Sequence, residues 1–332
     1  MTPINKRRVT IALAISAVLA LTACSGPSGS EKPNNTPSQE NTQNSGTENN
    51  DAAVNPGGDA AEGSGSPQLV AEFDSLLQES GKLPDAFRFV AEHADELNKE
   101  QVSHMLLALE EAQMEQFSDR VDSFYEGDMQ ERIAKIYEIG DTFDELIDKA
   151  PDEDLKSLLT ETRDSGYMLA TVEGMFNPDP DYRKLAEFGG KATEDVAAYL
   201  ELKTKESAQR SLADAALVVS WEELVNRGLS AEAFTLKYPD SERIEEAKLL
   251  FANYKTTIFY GANNTPLFGY EDEKMDPEAQ KAYESALAGA NSGASPLLEN
   301  LRKFMDEAAK GQYKLTASLE QLRGELVPLG TE

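Results

Sequence analysis

Apolar side chains recur at intervals of three and four along most of the chain after residue 68. In residues 99–125, Val102, Leu106, Leu109, Phe117, Val121 and Phe124 fall on one stripe. In residues 241–260, Ile244, Ala247, Phe251, Tyr254 and Ile258 repeat the spacing, as do Leu315, Leu319, Leu322 and Leu326 in residues 312–326. Such recurrence marks a helix that buries one side. Extended period-two alternation is not evident, and β-branched clusters are few, Leu217-Val218-Val219 being the main one. The pattern predicts about eleven helices, near 69–80, 84–97, 99–125, 128–149, 152–175, 182–188, 191–206, 209–227, 230–237, 241–260, 277–289, 296–310 and 312–326, with one or two of these stretches merging. Pro84, Asp152 after Pro151, Ser230, Asp240 or Ser241, and Ser295 before Pro296 read as helix starts. Gly127, Gly261, Gly289 and Gly311 read as stops. The expected class is all-α, a multi-helix bundle or irregular helical array.

The beginning of the chain follows a different pattern. Residues 25–67 are rich in Ser, Gly, Asn, Thr, Pro, Glu and Gln, with no aromatic residue and only Val54 as a sizeable apolar side chain. Such a segment has too little to bury to offset the entropy of ordering, so it reads as a disordered linker. As a flexible coil it would span about 36 Å on average and up to roughly 140 Å when stretched. Before it come Lys6, Arg7 and Arg8, then apolar or small residues from Val9 to Ala23, ending in Leu21-Thr22-Ala23-Cys24. This order resembles a secretory signal closed by the lipobox of bacterial lipoproteins. The resemblance covers about the first 25 residues. It implies a diacylglyceryl group on the Cys24 thiol and cleavage of the bond before it. As an uncleaved helix, residues 9–23 would cover only about 22 Å of a roughly 30 Å hydrocarbon core. Three segments follow: 1–23 as signal peptide, 24–67 as lipidated cysteine and linker, and 68–332 as an all-helical extracytoplasmic domain.

Charge narrows the partners. Once Lys6, Arg7 and Arg8 leave with the signal, 28 of the 31 basic residues remain against 60 acidic ones, a formal charge of −32. That balance excludes nucleic acid, whose phosphates require clustered cations. It also argues against a body lying flat on anionic lipid. The expected partners are a lipid membrane, through acylated Cys24, and an envelope protein or cell-wall component. Cys24 is the sole cysteine, so its acylation leaves no thiol for a disulfide, a nucleophile or a metal.

Candidate chemistry is sparse. His93 and His104 flank the turn at Asn98 and Lys99, but two histidines without a spaced third ligand predict no metal site, and no cofactor motif appears. Asn177-Pro178-Asp179-Pro180-Asp181 starts like a calcium loop, yet Tyr182 and Phe188 replace the required Gly and Glu, so a Pro-Asp turn between helices is expected. Tyr238-Pro239-Asp240-Ser241 with Ile244, Ala247 and Leu250 resembles the turn of tetratricopeptide-like units, without a second copy, and reads as a helical hairpin. Carboxylates such as Glu173, Glu222 and Glu223 read as solvated helix faces. The candidate ligand-binding loop is the aromatic, amide-rich stretch from Phe259 to Tyr270, with Tyr260, Asn263, Asn264, Phe268 and Tyr270 as its recognition residues. The alternative for that loop is that its rings plug the core while its amides make turns. No catalytic residue is assigned. The reading is a membrane-anchored lipoprotein acting as a non-enzymatic binding or scaffolding module. The alternatives are an envelope enzyme, such as a carboxylate-dependent glycosidase, or a solute- or cation-binding receptor.

Overall fold

The apolar stripes predicted from spacing meet in two separate cores. The computed structural model describes residues 66–289 and 295–329. The signal, Cys24 and residues 25–65 of the linker lie outside the described residues. Fourteen α-helices and three short antiparallel hairpins make up the described chain, so the fold is all-α in character. None of these helices is long and apolar enough to cross a membrane.

The larger core is built by α1 (Pro67–Gln78), α2 (Leu83–His93) and α3 (Lys99–Glu115) from the first part of the chain. The second half adds α9 (Glu194–Ala208), α10 (Trp221–Lys237), α11 (Ile244–Tyr260), α12 (Pro277–Gly289), α13 (Pro296–Lys310) and α14 (Ala317–Leu326). Phe73, Val90, Val102, Leu106, Leu224 and Phe304 are fully enclosed there. Local chemistry sets the helix ends. Asn98 and Gln101 form a reciprocal capping box at α3, and Ser295 accepts from the Leu298 N–H at α13. Glu232, buried on α10, accepts from Leu297 N–H at 2.6 Å and from the Ser295 hydroxyl. Its negative charge therefore sits at the N-terminus of α13, where the helix dipole favours it.

Two helices were expected at 209–227 and 230–237, but α10 runs unbroken from Trp221 to Lys237 with Gly228 inside it. A Cβ there would meet Ile258 Cδ1 at 2.9 Å and Leu297 Cδ2 at 3.2 Å, so the glycine permits close approach of α11 and α13. Ser230, expected to start a helix, instead bonds the Asn226 carbonyl at 2.9 Å inside α10.

The second core is enclosed by α4 (Phe117–Ser123), α5 (Met129–Ile136), α6 (Phe143–Lys149), α7 (Glu153–Asp164) and a hairpin of β1 (Tyr167–Val172) and β2 (Met175–Pro180). Phe124, Ile133, Leu146, Leu155 and Leu159 fill it. The five-residue helix α8 (Tyr182–Ala186) then returns the chain to the larger core.

The hairpin corrects the sequence reading. Residues 152–175 were expected to be one helix, but α7 ends at Asp164 and Gly166 turns the chain at φ +81°. Glu173 and Gly174, at φ +50° and +79°, form the two-residue turn between the strands. This left-handed pair matches the twist of an antiparallel ribbon. Asn177-Pro178-Asp179-Pro180 is strand β2, not a turn between helices. Residues 209–217 are likewise not helical: β3 (Leu212–Ala213) and β4 (Ala216–Leu217) pair around Asp214 and Ala215, both at positive φ. The stretch 99–125 breaks at Gln116, and 128–149 breaks between Ile136 and Phe143, where Gly140 stands at φ +99°.

Candidate binding groove

The hairpin matters because its two edges are treated differently. A two-residue turn between Val172 and Met175 makes alternate pairs hydrogen-bonded, so Thr171, Leu169 and Tyr167 pair with Phe176, Pro178 and Pro180 without exchanging ladder bonds. The prolines agree with this register, since they have no N–H to give. The backbone groups of these six residues therefore point away from the partner strand.

On β2 that outward edge is closed. The Gln130 side chain accepts from the Phe176 N–H at 2.9 Å and donates to the Phe176 carbonyl at 2.7 Å. Pro178 and Pro180 offer no donor. On β1 the outward N–H and C=O of Leu169 and Thr171 make no hydrogen bond among the described residues.

The open edge borders a groove of about 570 Å³. Tyr167, Leu169 and Thr171 form one wall and Tyr137 and Phe143 contribute aromatic surface. Tyr137 is held edge-to-face on Phe176 with ring centroids 4.8 Å apart. Tyr167 is buried, and its hydroxyl donates to the Gln113 carbonyl. Burial pushes its pKa up to about 12. The loop Gly140–Asp144 and the helix α8, bearing Arg183 and Lys184, also line the groove. A second cavity of about 320 Å³ shares Arg163, Lys184 and Glu187 with the first and adds Phe87, Arg88 and Phe188.

Charges in the groove are mostly paired. Arg163 reaches Asp164 at 2.8 Å and Asp144 at 2.7 Å, and these bonds raise its pKa. Arg183 is held by Asp181 at 2.7 Å, with the same effect. Asp141 accepts from Lys149 at 2.8 Å, and that bond keeps its carboxyl below the ordinary carboxylate range. Lys184 and Glu187 make no ion pair among the described residues. Four carboxylates on the walls of the larger cavity (Asp141, Asp144, Asp181, Glu187) face three cations (Arg163, Arg183, Lys184). The arrangement can hold an extended chain by backbone hydrogen bonds and apolar contact.

The loop singled out in the sequence lies elsewhere. Residues 261–266 form the hairpin of β5 (Gly261–Ala262) and β6 (Thr265–Pro266). Tyr260 is half-buried and donates to the Val327 carbonyl at 2.9 Å. The Arg323 guanidinium lies 4.4 Å from the Tyr260 ring centroid and 5.9 Å from that of Phe268. Phe268 is buried against Phe304. Asn264 bonds the Asp214 carbonyl at 2.7 Å through its side chain and the Ala215 carbonyl at 2.8 Å through its N–H. Tyr270 is exposed, and its hydroxyl donates to the Asn263 carbonyl at 3.0 Å. Most of the polar groups in this segment are thus bonded to backbone carbonyls.

Other candidates are accounted for locally. His93 pairs with Glu96 at 2.8 Å over the Phe89 ring, while His104 pairs with Asp74 at 2.9 Å. Glu223 holds Arg227 at 2.8 Å, and Glu222 lies on the first turn of α10. Among the described residues no group of three or more His, Cys, Asp or Glu is disposed to hold a metal. Sequence reasoning missed Leu169, Thr171 and the residues around Arg163. The available signal was the Glu-Gly turn followed by two prolines at alternate positions. The chain matches no protein-family model, no curated protein and no solved structure.

Proposed function

We propose that this protein is a lipid-anchored, extracytoplasmic lipoprotein whose helical body is a non-enzymatic binding module for an envelope partner. The observation that carries the binding role is the groove beside β1, where backbone groups lack partners next to aromatic surface. The anchoring half rests on the sequence from Lys6 to Cys24. A glycosidase needs one carboxyl with a raised pKa facing a second across a cleft. The carboxylates displaced here, among them Asp141, Glu145, Asp195 and Glu206, are displaced downward, toward the ionised state. That direction favours charge-pairing roles over acid catalysis.

The test combines fractionation with crosslinking on intact cells. A Cys24→Ala variant is expected to leave the membrane fraction, and the native protein to crosslink to an envelope component. Retention of the variant on membranes after a salt wash would sink the anchoring half. Turnover of cell-wall glycan by the purified protein would sink the binding half.

A further inference from the structure

Taking the binding role above as its basis, we propose that the groove recognises an extended segment of a partner polypeptide, neutral or basic, which adds to β1 as a third strand. Four features lead there. The hairpin has only two strands, so each strand has one edge outside the ladder. Its β2 edge is closed residue by residue, by Gln130 at Phe176 and by the absent N–H of Pro178 and Pro180. Its β1 edge is left with outward donors and acceptors at Leu169 and Thr171. Unprotected edges template strand addition, and proteins usually blunt them. Here one edge is blunted and the other borders a cavity.

The shape of the groove selects a single chain. Helix α8 and the loop Gly140–Asp144 line the same cavity of about 570 Å³ as the edge. From Tyr167 to Thr171 the edge is about 13 Å long, room for four or five residues of a partner strand. Alternate side chains of that strand would face Tyr137 and Phe143.

Charge selects its sign. On the walls of this cavity the charges balance, since Asp141 is paired with Lys149, and the sign is set by the whole chain, which carries −29. A second copy of the protein, or any acidic segment, would enter against that field, while a basic or neutral segment would not.

The experiment uses the full mature chain and three synthetic eight-residue probes. One alternates Val and Lys, one alternates Val and Glu, and the third is the Val-Lys peptide N-methylated at every residue. Amide hydrogen exchange at Leu169 and Thr171 is followed by NMR, with affinity measured alongside. The Val-Lys probe is expected to slow exchange at both amides at least tenfold. The acidic and N-methylated probes should bind at least tenfold more weakly. Thr171→Pro removes one outward donor from an exposed position that gives no ladder bond, and should weaken the Val-Lys probe at least tenfold. Thr171→Val keeps the N–H and should bind like the native chain. If Thr171→Pro fails to fold, the N-methylated probe still decides the matter.

Equal binding of the N-methylated probe, or no slowing at the two amides, would overturn strand addition. A Thr171-dependent dimer in sedimentation would assign the edge to a second copy and overturn the choice of partner. A cellular crosslink that is unchanged in Thr171→Pro would also overturn strand addition, while leaving the wider binding role standing.

Discussion

The Gln130 carboxamide holds both backbone groups of Phe176, accepting from its N–H at 2.9 Å and donating to its carbonyl at 2.7 Å. A helical side chain here replaces the third strand that β2 would otherwise present to solvent. Gln130→Leu should therefore leave two buried-edge groups unpaired, costing about 1–3 kcal/mol. Gln130→Glu keeps the acceptor but turns a carboxylate oxygen toward the Phe176 and Phe124 carbonyls, so it should cost at least as much. Urea denaturation of the three proteins checks this order; a Gln130→Leu variant as stable as the native chain would refute it.

Glu110 is one of the buried charges of the larger core. Its carboxylate accepts from the hydroxyls of Tyr182 and Tyr199 at 2.8 and 2.6 Å and from Arg243 Nε at 2.9 Å. Removing Glu110 leaves Arg243 with only the exposed Glu111, at 2.8 Å, and two buried tyrosine hydroxyls without an acceptor, a loss of about 3–5 kcal/mol. Glu110→Ala should show a loss of that size. The double variant Glu110→Leu with Arg243→Met should recover part of it, because no charge is left uncompensated. A double variant less stable than Glu110→Ala in chemical denaturation would contradict this account.

Acid should weaken the protein partly through Glu206. Burial would raise its pKa, but bonds from the Ser211 N–H at 2.8 Å, the Ser211 hydroxyl at 2.7 Å and the Tyr254 hydroxyl at 2.8 Å outweigh that, helped by Arg227. The folded-state pKa thus lies below the ordinary 4.5. A depressed carboxylate contributes stability that is present above the unfolded pKa and lost as pH falls through the folded one. Glu206→Gln should lower stability at neutral pH and flatten its decline below about pH 4.5. Parallel stability curves for the two proteins across that range would show that Glu206 contributes nothing.

Gly166 joins the two cores. It sits at φ +81°, and a Cβ there would meet the Phe87 ring at 2.3 Å and Gln113 Nε2 at 2.8 Å. Gly174, at φ +79° in the hairpin turn, has nothing within 4 Å. Gly174→Ala should cost only the left-handed backbone penalty, about 1–2 kcal/mol. Gly166→Ala adds a clash with an aromatic ring and should cost about 3 kcal/mol or more. Thermal melts rank the pair, and equal losses would show that Phe87 yields without cost.

The helical class and most helix positions were legible because the apolar stripes of α3, α11 and α14 are local signals, readable within one window of sequence. So were the caps at Asp152 and Ser295, where a side chain answers backbone groups three residues away. The groove was not legible. Met168, Leu169 and Ala170 suit a helix as well as a strand, and the segment was assigned to the helix that precedes it.

The sequence by itself determined that most of the chain would be helical, since a stripe at three and four residues is buried on one side by that geometry. It also determined the chain's strong acidity and the order of residues leading to Cys24. Tertiary structure alone decided that residues 167–180 are extended, that Gln130 closes one edge, and that Leu169 and Thr171 open onto a cavity. The reason is distance along the chain: Gln130 and Phe176 are separated by 46 residues, and a hydrogen bond between them exists only once the second core brings α5 against β2.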